Sequence, residues 1–291
     1  ASGGGGLSSD SMENTIGGTN AGDSFTGTPA DAIQNTLFGY NAGTAITTGD
    51  DNTCFGHDTG ESITTAMDNT FLGRLAGGNT TTGGYNVGIG KFALRGNTTG
   101  GYNVAIGYHA CSGGSTGSQS VLIGYYAGAY NSGTMNICIG TFTMHNSGGS
   151  AQYNVTLGSQ AGYGITSGDD NICLGRSTGY ALQTTDGAVA IGKFAARDST
   201  VAITAIGYLA AQENTSGTKN TAIGHQALEV NTTGGNNTIM GYEAGKLQTT
   251  ASYNTFVGEG CAINDTTGGA NTAVGRYALY ANSTGSNHVA V

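Results

Sequence analysis

The sequence predicts an all-β fold: a β-solenoid, or β-roll, of about sixteen 17-residue coils, assembled as a three-fold trimeric rod. Three observations carry this. One short motif recurs along nearly the whole chain, glycine supplies 54 of the 291 residues against a single proline, and the apolar residues keep a fixed phase to the recurring glycine. Charged residues make up only 9%, where an ordinary soluble domain has about 25%. A conventional α/β enzyme does not have this make-up.

The repeat unit is Asn-(Thr/Val)-x-(apolar)-Gly, followed three residues later by a small residue, usually alanine. It reads Asn35-Thr36-Leu37-Phe38-Gly39 near the start and Asn271-Thr272-Ala273-Val274-Gly275 near the end. Sixteen anchor glycines run from Gly18 to Gly275, and eleven of their fifteen spacings are 17 residues. The irregular spacings fall between glycines, where turns absorb insertions. A Gly/Ser-rich leader over residues 1–13 precedes one repeat domain over residues 14–291.

A 17-residue unit is too short for a helical pair. Its β-branched positions and glycine joints suit short strands that turn repeatedly. Strands stacked about 4.8 Å apart make sixteen coils a rod of roughly 75 Å. Within each strand, the residue before the glycine (Phe38, Phe55, Leu72, Ile89, Ile106) is apolar and shares a face with the Thr or Val two places earlier. The residue between them points the other way and is also apolar or small, as at Leu37, Cys54, Phe71 and Ala105. A strand apolar on both faces is buried on both, and one coil has only one interior. The second face therefore calls for further copies of the chain, most simply a homotrimer. Leu75, Phe92, Tyr126, Phe142, Phe194, Leu209 and Tyr277, two residues after the glycine, add apolar surface that needs cover.

The asparagine column begins at Asn14 and continues through Asn35, Asn52, Asn69, Asn86, Asn103, Asn136, Asn154, Asn171, Asn220, Asn237, Asn254 and Asn271. Stacked amides can bond to one another along a solenoid, so the column reads as a structural ladder satisfying polar groups at a buried corner. The anchor glycine reads as a bend where a Cβ would clash.

At these residues a resemblance becomes specific. Asn220-Thr221-Ala222-Ile223-Gly224, Asn271-Thr272-Ala273-Val274-Gly275 and the joint Asn97-Thr98-Thr99-Gly100-Gly101-Tyr102-Asn103 resemble repeats of bacteriophage tail fibres, which often precede a self-cleaving chaperone domain. They are also similar to the head repeats of YadA-like trimeric autotransporter adhesins, whose repeats are usually shorter. The resemblance covers roughly residues 14–291 and implies a trimeric rod on a virion or cell surface. The sequence has no coiled-coil stalk, membrane anchor or chaperone domain, and the column calls for a glycine next after Val291. The natural product is expected to continue there, or to have been cleaved or truncated.

Other chemistry is sparse. Cys54, Cys138 and Cys173 share a column but lie several coils apart, too far for a disulfide; with Cys111 and Cys261 they read as buried free thiols. The histidines His57, His109, His145, His225 and His288 fall in four different columns and offer no catalytic or zinc spacing. His57 and His225 belong with Tyr40, Arg74, Lys91 and Tyr108 to a column that reads as exposed. Asp50-Asp51 and Asp169-Asp170 read as turns rather than calcium loops. The Thr-Thr-Gly joints raise ice binding, but adjacent threonines in a strand point to opposite faces, so they too read as turns. Asn97, Asn214, Asn231 and Asn282 match the glycosylation sequon, a coincidence in a bacterial or phage product.

The formal charge of −9 comes without a basic run, which excludes an electrostatic footprint for nucleic acid or an anionic membrane. No stretch reaches the ~18 apolar residues of a membrane span. The expectation is a non-enzymatic structural and adhesive fibre segment, extracellular or on a virion, with no cofactor and no metal. Its partners are its own copies and a host surface glycan or protein receptor. Tyr40, Tyr108, Tyr125 and Tyr242 are the candidate glycan contacts. An ice-binding or matrix-forming solenoid is the alternative, and a polysaccharide-degrading fibre the third.

Overall fold

The computed structural model describes residues 8–10, 12–25, 32–114, 117–146 and 148–291. Residues 1–7 and 11 of the Gly/Ser-rich leader lie outside the described residues. The chain divides into two compact units, Ala1–Ala151 and Gln152–Val291. Each is a parallel β-solenoid, and the described residues contain no helix.

In the first unit, β1 (Ser8–Ser9) pairs antiparallel with β2 (Thr15–Gly17). Then β3 (Thr36–Phe38), β4 (Thr53–Phe55), β5 (Thr70–Leu72), β6 (Val87–Ile89), β7 (Val104–Ile106), β8 (Val121–Ile123) and β9 (Ile137–Ile139) stack on β2 in parallel, in chain order. The second unit repeats the arrangement with β10 (Val155–Leu157), β11 (Ile172–Leu174), β12 (Val189–Ile191), β13 (Thr204–Ile206), β14 (Thr221–Ile223), β15 (Thr238–Met240), β16 (Thr255–Val257), β17 (Thr272–Val274) and β18 (Val289–Ala290). The register sets like over like: Thr36 on Thr53, Leu37 on Cys54, Phe38 on Phe55. Parallel in-register strands come directly from a repeat of constant length, because each coil returns the chain to the same point one strand spacing further on.

An anchor glycine follows each strand from β2 to β17. All sixteen have φ between 118° and 144°, a region that L-residues rarely enter. Their neighbours forbid a side chain as well: a Cβ on Gly73 would stand 2.8 Å from both the carbonyl carbon and oxygen of Gly90.

Two positions further on the backbone is left-handed again, usually without glycine: Leu75, Phe92, Tyr126, Phe142, Phe194 and Leu209 have φ between 53° and 65°. This conformation costs about 1–2 kcal/mol per residue. It aims each N–H along the stack, so that Phe92 donates to the Arg74 carbonyl at 3.0 Å and Tyr126 to the Tyr108 carbonyl at 3.0 Å. The bonds between coils thus continue through the turn, which helps offset the strain.

From β3 to β17 the middle residue of each strand faces inward. Leu37, Cys54, Phe71, Ala105, Leu122 and Cys138 are buried in the first unit, and Cys173, Ala190, Ala205, Ala222, Ile239 and Phe256 in the second. Alanines three residues after the glycine, such as Ala76, Ala93, Ala195 and Ala227, complete the core. The interior is narrow, and bulk is matched by absence. Phe71 sits beside Gly88, where a Cβ would lie 2.9 Å from the Phe71 ring.

Candidate binding surfaces

The outward strand face carries the larger apolar residues. Phe38, Phe55 and Leu72 in the first unit, and Leu157, Met240 and Val274 in the second, are exposed, Phe55 by 49%. The Phe38 and Phe55 rings stack with centroids 4.9 Å apart. Beside them runs the threonine and valine column: Thr36, Thr53 and Thr70 are exposed, and Val87, Val104 and Val121 half-buried. Soluble monomers rarely expose long contiguous apolar patches. The seven residues Leu75 to Tyr277 flanking this face are half-buried, apart from the exposed Tyr277.

The residue after the anchor glycine forms an aromatic and cationic column. Tyr40, Tyr108, Tyr125 and Tyr242 are all exposed. Tyr40 lies 5.0 Å from the His57 ring, and Tyr108 stacks on Tyr125 at 5.5 Å. His225 departs from a freely solvated reading: it is half-buried and sandwiched between Tyr208 at 5.0 Å and Tyr242 at 4.9 Å.

Two further aromatic platforms are absent from the sequence expectation. Tyr85 and Tyr102 stack at 4.8 Å and 3° along a groove of about 530 Å³ that Thr82, Thr99 and Ser118 also line. Tyr163 and Tyr180 stack at 4.8 Å and 1°. The available signal was period alone, since each pair is 17 residues apart.

The asparagine column is hydrogen-bonded along both units. The Asn35 Oδ1 accepts from the Asn52 N–H at 2.9 Å, and the Asn52 Nδ2 donates to the Ala66 carbonyl at 2.8 Å. The same pair of bonds recurs from Asn69 and Asn86 in the first unit to Asn171, Asn237 and Asn254 in the second. Asn14 begins the series by accepting from the Asn35 N–H at 2.7 Å. Asn103, Asn136, Asn154, Asn220 and Asn271 likewise donate to the carbonyl that closes the next corner. Ser120 occupies one rung, its Oγ accepting from the Asn136 N–H at 3.1 Å.

A second polar column, missed in the sequence, stands seven residues after the glycine. Asn97 is buried there in the first unit, and Asn214, Asn231, Gln248 and Asp265 in the second. Asn231 donates to the Asn214 Oδ1 at 2.6 Å. Three of the four sequon asparagines are therefore interior groups. The signal was the phase of the Asn-Thr-Thr-Gly joint itself.

The remaining groups are structural. None of the five cysteines is in a disulfide and all are buried, and burial pushes the thiols of Cys54, Cys111 and Cys173 up to about 12. Asp51 and Asp170 are left-handed at 57° and 58°. Asp50 and Asp169 instead accept backbone bonds from Ile33 at 2.9 Å and Gln152 at 2.7 Å. The first threonine of the joints donates to the next coil: Thr47 to Thr64, Thr64 to Thr81, Thr215 to Thr232 and Thr232 to Thr249, at 2.9–3.1 Å. Those hydroxyl hydrogens are spent on backbone. Among the described residues no three His, Cys, Asp or Glu side chains gather as a metal site. Among the described residues no helix is long and apolar enough to cross a membrane.

Comparison of the chain with protein-family models, with curated proteins and with solved structures finds no match.

Proposed function

We propose that the chain is a structural and adhesive fibre segment, a homotrimer displayed on a virion, as in phage tail fibres, or on another extracellular surface. The observation that carries this reading is the outward apolar strand face of each unit, with Phe38, Phe55 and Leu72 in the first and Leu157, Met240 and Val274 in the second. Covering it contributes about 25 cal/mol per Å², and a parallel copy about a shared axis presents the same repeat. The buried, protonated thiols also suit an oxidising exterior, because the thiolate is the reactive form.

The mechanism is geometric rather than chemical. A stiff trimer presents three equal faces, and three weak contacts on one particle bind with far greater avidity than one. The exposed rings of Tyr40, Tyr108, Tyr125 and Tyr242 supply flat apolar surfaces for sugar rings. No reaction is assigned to any residue.

The test is the absolute mass of the native particle by light scattering, with and without denaturant. About three chain masses supports the assembly. A stable particle of 29.0 kDa removes it and favours an ice-binding surface built on the outward threonines Thr204, Thr221, Thr238, Thr255 and Thr272, set one per coil. Ice recrystallisation assays then decide that alternative.

A further inference from the structure

The chain has nine basic residues against eighteen acidic ones, and no basic run. Coil stacking nevertheless collects six of the nine into two clusters of identical layout. In the second unit, Arg176, Lys193 and Arg197 place their charged groups 5.2, 4.9 and 5.6 Å from the centroid of one ring, that of Phe194. In the first unit, Arg74, Lys91 and Arg95 stand 5.9, 4.8 and 5.2 Å from the Phe92 ring. The residues come from positions one, one and five after the anchor glycines of consecutive coils. The fold therefore builds one arrangement twice.

Three cations about one ring repel one another, and the ring face returns only about 0.5–1 kcal/mol per exposed cation. Elsewhere in the second unit Lys246 and Arg276 are neutralised: Lys246 lies 3.0 Å from Glu243, and Arg276 lies 3.1 Å from Glu259. Among the described residues, Arg176 and Lys193 have no carboxylate partner. Arg197 has only the loose Asp198 contact at 3.8 Å, with both side chains over 40% exposed, and such pairs contribute little. The first unit has the same character, since burial together with Arg95 and Lys91 holds the His109 imidazole below its usual range. His109 packs on Phe92 at 4.5 Å.

The second cluster opens into a cleft of about 410 Å³ lined by Gln160, Arg176, Ser177, Tyr180, Phe194 and Arg197. That volume is within the usual range for small-ligand sites. Two guanidinium groups supply planar forks that match carboxylate, sulfate or phosphate oxygens. Tyr180, stacked on Tyr163, adds a flat ring wall beside the charge, while Gln160 and Ser177 offer neutral hydrogen-bonding groups. A charged fork next to an aromatic wall suits an acidic sugar better than a bare ion. In the first unit the place of Tyr180 is taken by Gly78, which leaves the charge without the wall.

We propose that these clusters bind acidic polysaccharide, with carboxylate or sulfate groups on the arginine forks, and that the Arg176–Arg197 cleft is the sugar-selective site of the pair. The inference deepens the attachment reading, on which it rests for the kind of surface met, but the binding itself needs neither three chains nor the tyrosine column. The overall charge of −9 does not prevent it, because at physiological salt distant charges are screened beyond about 8 Å.

The test is calorimetric titration of the full chain with heparin oligosaccharides as the sulfated probe and oligogalacturonate as the carboxylated one. Neutral dextran, duplex DNA and phosphatidylglycerol vesicles serve as comparisons. Saturable, salt-sensitive binding to an acidic glycan is expected, with about tenfold loss for each of Arg176→Gln and Arg197→Gln and an unchanged melting temperature. Arg→Lys replacements, which keep charge but lose the fork, should recover only part of it. Tyr180→Ala should weaken oligogalacturonate while leaving inorganic sulfate unaffected. Absence of binding, equal or tighter binding of DNA or vesicles, or full affinity in the double Gln variant each overturns the proposal. A trimer that fails to bind refutes this inference alone; a binding monomer refutes the trimeric fibre alone.

Discussion

The side-chain oxygen of Asn52 accepts two bonds from Asn69, one coil further on: from its backbone N–H at 3.2 Å and from its Nδ2 at 3.0 Å. One amide therefore secures both the backbone and the side chain of its successor. Replacing Asn52 by Ala strands a buried N–H and the Ala66 carbonyl, at about 1–3 kcal/mol each. The urea midpoint of Asn52→Ala should fall accordingly. Asn52→Ser should recover part of the loss, as Ser120 already does for Asn136.

Gly73→Ala meets both a forbidden φ of 131° and the Gly90 carbonyl. A loss of at least about 3 kcal/mol is expected, visible as a lowered melting temperature. A mild effect would show that the glycine stack can spread.

Ile223 lies on the outward face of β14 and is half-buried in the single chain. On a self-contained monomer Ile223→Glu costs within about 0.5 kcal/mol. In a trimer that buries this face it places three carboxylates against one another, so the particle should fall to one chain mass in light scattering. An unchanged trimer would move the interface elsewhere.

The thiols give a chemical check. With its pKa at about 12, the Cys54 thiol is ionised to about one part in ten thousand at pH 8. A thiol reagent should label essentially none of the five cysteines in the native protein and all five once it is denatured. Rapid native labelling would show that the coils open.

Asp265 is fully buried, and burial raises its carboxyl above the ordinary value, against the bonds it accepts from Gly268 and Asn271. The folded state thus holds the proton more tightly than the unfolded state. Ionisation costs stability above the unfolded pKa of 3.8, and that cost declines as pH falls through the raised value. Asp265→Asn, the residue found in this column at Asn214 and Asn231, should melt higher than the parent at pH 7, with the gap closing toward pH 4. A gap independent of pH would mean that Asp265 titrates alike in the folded and unfolded chains, so that burial does not shift it.

The solenoid was legible because its period is written in glycine and asparagine, residues whose backbone and amide chemistry admit few substitutes. The two apolar strand faces were legible as well, but not which one turns inward. The smaller residues do, Ala105, Ala190 and Ala222 among them, because the coil is too narrow for a full column of Ile or Phe. The left-handed Leu75 and Phe92 left no trace in composition, since such residues normally avoid that conformation. The paired cation clusters were invisible for a different reason. Residues 17 apart look scattered along a line and become neighbours only when the line is wound.

The constant register has a consequence for how the chain is made. Most bonds between coils join residues about 17 positions apart, so no segment must wait for a distant partner to be synthesised. A finished coil presents a row of N–H and carbonyl groups, with an asparagine oxygen at the corner, to the segment that follows it. Each unit can therefore grow from its N-terminal side at the pace of translation, every coil serving as the mould for the next. A defect would then halt growth where it lies while leaving the coils before it intact.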